Sequence, residues 1–303
     1  MSDLSLSRTR ANRMADRDAD RAGAQTSRRA GQRRFAIWRA AILIIMAGIV
    51  LMPLGATLLG GFKTVGELRT NPLGLPRVWL WHNYWDILAS LRYWRVLGNS
   101  LLIASLTVVL TLALAATAAF AFAHLRFFGR KFLFNYLVLG LMFPAAAAIL
   151  PLFIRVRQLG LVDTPWGVIL PQVAFGLAMA VLLLRNAFRQ LPTELLDAAL
   201  VDGCSYIRYF THITLPLSRP ILSTVGVIAF VGSWNNYLVP LIMLDSNSLF
   251  PWPLGLMDYQ GEYSTAWQLV LAFITLTILP AILMFLLAQR YIVEGLTAGA
   301  VKG

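Results

Sequence analysis

The sequence predicts an all-α membrane protein with six transmembrane helices, and three observations predict it. Hydrophobic residues make up 58% of the 303 positions and charged ones only 13%, a balance outside the range of soluble globular domains. Uncharged runs of about twenty residues recur along the chain, each long enough at about 1.5 Å per residue to cross a hydrocarbon core of about 30 Å. Lys and Arg also sort to alternate connections: with both termini inside, the inner segments carry 19 of the 26 and the outer ones 7. This is the bias expected of cytoplasmic loops.

Residues 1–34 are rich in Arg, Ala, Asp and Ser and nearly lack large apolar side chains, so they are expected to be a disordered basic tail. Residues 1–39 hold ten Arg against four Asp, a local excess of six within the overall net charge of +12. The expected role is to fix topology, with binding of anionic membrane lipid as the alternative. The next apolar run, residues 40–59, is too long for the core of a cleaved signal peptide and is read as the first span. Gly60-Gly61-Phe62-Lys63-Thr64 looks briefly like a phosphate-binding loop, but Phe62 separates glycine from lysine and no strand precedes it, so it is rejected.

Residues 62–96 bring together Trp79, Trp81, Tyr84, Trp85, Tyr93 and Trp94, the composition of an outer loop or of helices lying at headgroup depth. Residues 35–96 thus form one region, the first span and its outer loop, and residues 97–303 a second. The second span, 97–123, is rich in Ala, Ser and Thr, which allow close helix packing in lipid. A basic turn with Arg126, Arg130 and Lys131 follows. The third span, 132–153, is expected to be broken by Pro144 and Pro151, and the fourth runs 165–184. Residues 221–244 form the fifth span and carry Asn235 and Asn236. An acidic loop over 245–264 precedes the sixth span, 267–287, and 289–303 is a short tail.

Between the fourth and fifth spans lies the one long polar stretch of the second half, residues 192–216. Thr193 is placed to cap a short helix, with Glu194 and Asp197 in its first turns where acids suit the dipole. Ala198 and Ala199 give that helix a bare flank. Gly203 allows a turn, and a second helical run is expected to end at Pro216 and Pro220. Asp197-Ala198-Ala199, three residues, Gly203, nine residues, Ile213, one residue, then Leu215-Pro216 resembles the EAA loop of ABC-importer permease subunits, with Asp197 standing where that family usually has Glu. The ending 289–303, the stretch 159–167 and the run 234–237 resemble the carbohydrate-uptake, maltose-transporter-type subgroup, so the likeness covers about residues 95–303.

The resemblance implies a cytoplasmic coupling helix, with Glu194, Asp197, Ala198, Ala199, Gly203, Ile213, Leu215 and Pro216 meeting an ATPase. It implies that the C-terminal tail, through Gly295, Thr297, Gly299 and Lys302, reaches the ATPase dimer. The implied partners are a second permease subunit, two ATPase subunits, an extracytoplasmic sugar-binding protein and a sugar. No cofactor is expected in this chain, because ATP and Mg would be held by the ATPases. The implied location is the plasma (inner) membrane of a bacterium or archaeon, multi-pass, with both termini cytoplasmic.

Rival classes fit less well. The three histidines, His82, His124 and His212, are scattered over both sides, so neither a metal cluster nor a catalytic triad assembles by spacing. The local origin of much of the positive charge weighs against nucleic acid. A self-sufficient channel or secondary carrier is the alternative, but the central stretches of the spans lack the ionisable residues that ion-coupled carriers usually use. Among uncharged polar residues within spans, Asn135 and Gln172 are expected to hold helices together, at about 0.6 kcal/mol each. Asn235 and Asn236 stay open between that role and a substrate path.

Overall fold

The computed structural model describes residues 38–261 and 264–300; the basic segment 1–34 and Lys302 lie outside the described residues. Helix α1 (Trp38–Gly60) matches the first expected span. The compact unit that begins at Gly60 contains α2 (Val65–Thr70), α3 (His82–Ala89), α4 (Leu91–His124), α5 (Arg130–Leu139), α6 (Ile149–Gln158), α7 (Pro165–Phe188) and α8 (Thr193–Val201). It continues with α9 (Tyr206–Tyr209), α10 (Leu215–Leu217), α11 (Arg219–Trp234), α12 (Leu238–Met243), α13 (Trp252–Gly255) and α14 (Trp267–Ala300). Among the described residues, four helices are long and apolar enough to cross a membrane, or up to six crossings result if each of two bent helix pairs counts as one.

The centre of this unit is α4, which packs on α7 and α11, while α11 packs in turn on α14. Small residues make the approach close. Ala115, Ala116 and Ala119 of α4 are buried with Ala180, Val181 and Leu184 of α7 in one apolar cluster. Without a hydrophobic drive separating helix from lipid tail, such close backbone contact is a main source of helix association in a bilayer.

Several expected boundaries move, each for a local reason. The third span stops at Met142, turns by 96° and resumes at Ala145, so the break falls at Pro144. Pro151 breaks nothing. It lies in the first turn of α6, where its missing N–H would have had no intrahelical partner. The expected fifth span is not one rod either: α11 ends at Trp234, residues 235–237 are non-helical, and α12 follows. The expected sixth span and tail are one helix as far as Ala300, so Gly295, Thr297 and Gly299 continue it rather than forming a separate strip. Propagation from an established helix adds one bond per residue fixed, which offsets the roughly 1 kcal/mol that each glycine costs.

Contacts among the loops define two ends of the bundle. At the end where α4 and α7 begin, Arg92 makes a two-pronged ion pair with Asp258 (2.8 and 3.2 Å), and its other nitrogen donates to the Asn247 carbonyl. Asn99 Nδ2 donates to the carbonyls of Ser248 and Phe250. Asp163, at φ 56°, accepts the N–H groups of Asp245 and Ser246 on Oδ1 (3.0 and 2.8 Å) and the Ser246 hydroxyl on Oδ2 (2.5 Å). These bonds to Ser246 hold the Asp163 carboxyl below the ordinary carboxylate range.

The connection over 245–264, expected to be simply an acidic loop, dips back into the core. Leu254 is buried, Trp252 Nε1 donates to the Trp234 carbonyl (2.7 Å), and a Cβ on Gly255 would come within 3.0 Å of Phe273. The run Phe250-Pro251-Trp252-Pro253-Leu254 carries the signal for that return.

The aromatic connection after α1 folds at the same end. Phe62 sits among Trp79, Trp81 and Tyr84, with ring centroids 4.4–5.2 Å away. Lys63 is fully buried. Its ammonium donates to the carbonyls of Asn71 (2.7 Å) and Pro72 (3.2 Å), at the C-terminal end of α2 where carbonyls lack helical partners. It is thus a structural fastener.

Candidate functional site

Residues 192–217 lie at the opposite end, against the closing turns of α4 and α7. Pro192 has the extended conformation of a helix cap and Thr193 is already the first helical residue, so the expected Thr193 cap is displaced by one position and no side chain caps α8. Glu194 remains in the first turn. The end of α8 follows from glycine. With Gly203 at φ 75°, its N–H donates to the Leu200 carbonyl (3.1 Å) and the Cys204 N–H to the Ala199 carbonyl (2.8 Å). That pair of bonds is a Schellman closure, which needs a left-handed residue at the position Gly203 holds.

Ser205 then caps the next helical run by accepting the Arg208 N–H. The run passes through a widened π-turn at Phe210–Thr214 and through Pro216, and breaks only at Ser218. The expected stop at Pro216 is therefore two residues early. The wider turn lies where the proline ring would otherwise crowd the carbonyl four residues earlier. Pro220 belongs to the first turn of α11, and the two arms meet at 78°.

Burial divides the segment into a root and a free face. Tyr209 is fully buried beside Phe120 and Phe188, and Ala199, Ile213 and Leu215 pack into the same cluster. Ala199 is consequently covered within this chain, while Ala198 of the expected bare flank is exposed. Glu194, Asp197 and Pro216 are exposed too, and the free face carries large apolar groups, with Val201 87% and Ile207 77% accessible. An exposed apolar face on a well-rooted, short helix pair is a docking shape.

A second feature lies at the centre of the bundle. A cavity of about 370 Å³ opens between α4, α7, α11 and the turn that leads into α12. Its polar lining is Thr107, Thr111, Gln172, Ser233 and Asn236, and most of the remaining wall is apolar. The two asparagines part company here. Asn236 lines the cavity while its Oδ1 accepts the Val239 N–H, whereas Asn235 donates back to the Val231 carbonyl on its own helix and does not line it. Asn135, exposed on α5, does not line it either.

Gln172 holds helices together as expected, reaching from α7 to both α4 and α11. It is 8% exposed, and its Oε1 accepts the hydroxyls of Ser233 (2.5 Å) and Thr107 (3.4 Å). Its Nε2 has no hydrogen-bond partner, nor does Thr111 Oγ1, and both atoms are buried away from the open space. The available signal was a lone amide in an apolar span one residue after Pro171. No group of three or more His, Cys, Asp or Glu side chains suited to a metal occurs among the described residues.

Comparison with known proteins bears on this geometry. The model of the family described as "Binding-protein-dependent transport system inner membrane component" matches residues 110–293, a span that includes residues 192–217 and all of the cavity lining except Thr107. An arabinooligosaccharide transport system permease protein, AraQ, of Halalkalibacterium halodurans is 37% identical over 85% of this chain and 93% of its own length. A trehalose/maltose transport system permease protein, MalG, of Thermococcus litoralis is 35% identical over 86% and 94%. A diacetylchitobiose uptake system permease protein, NgcG, of Streptomyces coelicolor is 31% identical over 89% and 90%. Among solved structures, a chain of a bacterial ABC transporter involved in import of the acidic polysaccharide alginate superposes with a TM-score of 0.74 at 23% identity, covering 86% of this chain and 97% of that one.

Proposed function

Because the chain belongs to the binding-protein-dependent transport system inner membrane component family, whose members are non-catalytic membrane subunits, we propose that it is the permease subunit of an ATP-driven importer of sugars. Two ATPase subunits hold ATP and Mg, a second permease subunit completes the path, and an extracytoplasmic binding protein delivers a mono-, di- or oligosaccharide. On this reading the chain crosses the plasma membrane six times, with both termini and residues 192–217 in the cytoplasm. Residues 1–34, 35–96 and 97–303 act as tail, entry span with outer loop, and transport core.

One observation carries the coupling role: a helix pair rooted by Tyr209 and closed by Gly203 offers Val201 and Ile207 to solvent. Glu194, Asp197 and Ala198 lie on the free side; Ala199, Ile213 and Leu215 anchor the pair so that a push reaches the spans. Pro216 lies just before the bend at Ser218. The C-terminal part of α14 extends 14 residues beyond Leu286, about 21 Å at helical rise, which lets Gly295, Thr297, Gly299 and Lys302 approach the ATPase pair. The substrate path runs by Asn236, which lines the cavity, while Asn235 bonds back to its own helix.

The experiment is reconstitution. The complex with its ATPases and second permease should import sugar only with ATP, and a Val201→Cys chain should form a disulfide or bismaleimide link to the ATPase. Sugar flux through this chain reconstituted alone would instead make it a self-sufficient carrier and overturn the proposal.

A further inference from the structure

We propose that the closing ends of α4 and α7, together with the start of α5, form a docking site for one anionic phospholipid. Its phosphate lies among Arg126, Arg130, Lys131 and Arg189, and its acyl chains run along the exposed side of α5. This inference does not depend on which solute the chain helps to carry; it needs only that the bundle sits in a bilayer.

Residues 122–134 contain Arg126, Arg130 and Lys131 and no acid, and residues 185–191 add Arg185 and Arg189, again with no acid. The two segments close on each other at one end of the bundle. Arg185 Nε donates to the Phe122 carbonyl (3.3 Å), and its guanidinium lies 3.9 Å over the Phe134 ring. Arg130 Nη1 donates to the Leu125 carbonyl (3.0 Å), and both Arg130 and Arg189 lie close enough for Arg185 to feel their like charge. Arg130 and Arg185 are thus fixed by carbonyls and a ring rather than by a counter-charge. Among the described residues the only ion pair is Arg92 with Asp258, at the other end. Asp197 of α8 shares a groove with Arg126 and Arg130 yet pairs with neither. Held together without an acid, such a cluster repels itself, and a phosphate placed within it relieves that repulsion.

The surroundings choose a lipid over a soluble anion. Phe128 is fully exposed in the same turn, and Phe132, Tyr136 and Leu139 follow along one side of α5, each between 59% and 72% accessible. The rings of Phe132 and Tyr136 stack on that side. A free phosphate or a nucleotide would match the charges and leave these apolar groups uncovered. A phospholipid matches both parts, because its charge and its chains are joined. Helix α5 is ten residues long, about 15 Å at helical rise, which is half of a hydrocarbon core of about 30 Å and so the depth of one leaflet. A lipid held there bridges the start of α5 and the end of α7, the helix that leads directly into residues 192–217.

The test replaces Phe128 with the photo-crosslinker benzoylphenylalanine, in the assembled complex in nanodiscs of equal parts phosphatidylglycerol and phosphatidylcholine. Phe128 is fully exposed, so a larger ring is accommodated. Illumination should attach phosphatidylglycerol at least about fivefold more often than phosphatidylcholine, since each basic group near the surface favours an anionic lipid by about that factor. Combining Arg126→Gln, Lys131→Gln and Arg189→Gln, all on exposed side chains, should bring the ratio close to one without changing the melting temperature. Single Arg126→Gln and Lys131→Gln variants should each lower the ratio and serve if the triple variant does not assemble. Arg208→Gln with Arg219→Gln, exposed at the same end but outside the cluster, should leave it unchanged. A ratio of one in the parent, or a ratio unaltered by the cluster variants, overturns the site. An equal fall in the Arg208 and Arg219 pair also overturns it and assigns the preference to overall surface charge. Attachment to an ATPase or to the second permease in place of lipid overturns it by naming a protein as the occupant. None of these outcomes touches the importer reading.

Discussion

Replacing Gly203 separates backbone geometry from contact with a partner. A Cβ built on Gly203 meets no atom of this chain within 4 Å, so substitution has no internal steric cost. What remains is the left-handed conformation at φ 75°, which costs an ordinary L-residue about 1–2 kcal/mol, asparagine less and a β-branched residue more. Opening the closure would release the carbonyls of Ala199 and Leu200 and let α8 turn away from α9. Gly203→Asn, Gly203→Ala and Gly203→Val should therefore lose sugar-stimulated ATPase activity and uptake in that order. The penultimate variant corresponds to a shift of about 5- to 30-fold in the turn equilibrium. The melting temperature should hardly change, because the turn lies at the surface. The assay is uptake and ATP hydrolysis by the complex in proteoliposomes, with assembly checked by co-purification. Full uptake by Gly203→Val would refute the coupling role of this turn. Equal, complete loss in all three variants would instead mean that an ATPase backbone packs directly on Gly203.

Other substitutions test the supporting structure. Tyr209→Ala should destabilise the 206–217 arm by about 3–5 kcal/mol, read as faster proteolysis between residues 193 and 217, because the ring is fully buried beside Phe120 and Phe188. A double-mutant cycle on Arg92 and Asp258 should give a coupling of only about 0.2–1 kcal/mol, shrinking with added salt, since both side chains are partly exposed. Asp163 is held ionised by Ser246, so its folded pKa lies below its ordinary value of 3.8. Its stabilisation is present above that value and is lost as pH falls through the folded pKa. Melting temperature should then drop more steeply below about pH 4 in the parent than in Asp163→Asn, and equal slopes would show that the carboxylate does not tie the two loops.

How much could be read in advance depended on whether a feature is local. Residues 40–59, the body of α4, the start of α7 at Pro165 and the turn at Gly203 all follow from short-range rules: apolar length, small-residue content, proline at a helix start, and glycine at a left-handed position. The breaks did not follow so easily. Proline alone does not locate a break: Pro144 falls at one, Pro151 sits in a first turn where its N–H has no partner, Pro171 and Pro280 lie inside continuous helices, and the run through Pro216 bends only at Ser218. The return of residues 250–255 into the core was hidden because acidic residues on both sides suggested a solvated loop. The role of Gln172 in joining helices was legible, but which helices it joins depends on tertiary spacing. Its partners, Thr107 and Ser233, are 65 and 61 residues away in sequence.

The two features of the site share one helix. α11 begins at the bend that ends the 206–217 arm and ends at Trp234, beside Ser233, which contacts Gln172. Sixteen residues at helical rise span about 24 Å, so α11 links the docking end of the bundle to the cavity as a single rod. Pro220 sits in its first turn, where it does not weaken the hydrogen-bond ladder, and of the non-helical residues 235–237 that follow, Asn236 lines the cavity. The bend at Ser218 and the residue Ser233 are thus joined by one continuous helix, which carries Gly226 and Gly232 along its length. The breaks lie outside the rod, at Ser218 below it and at residues 235–237 above it.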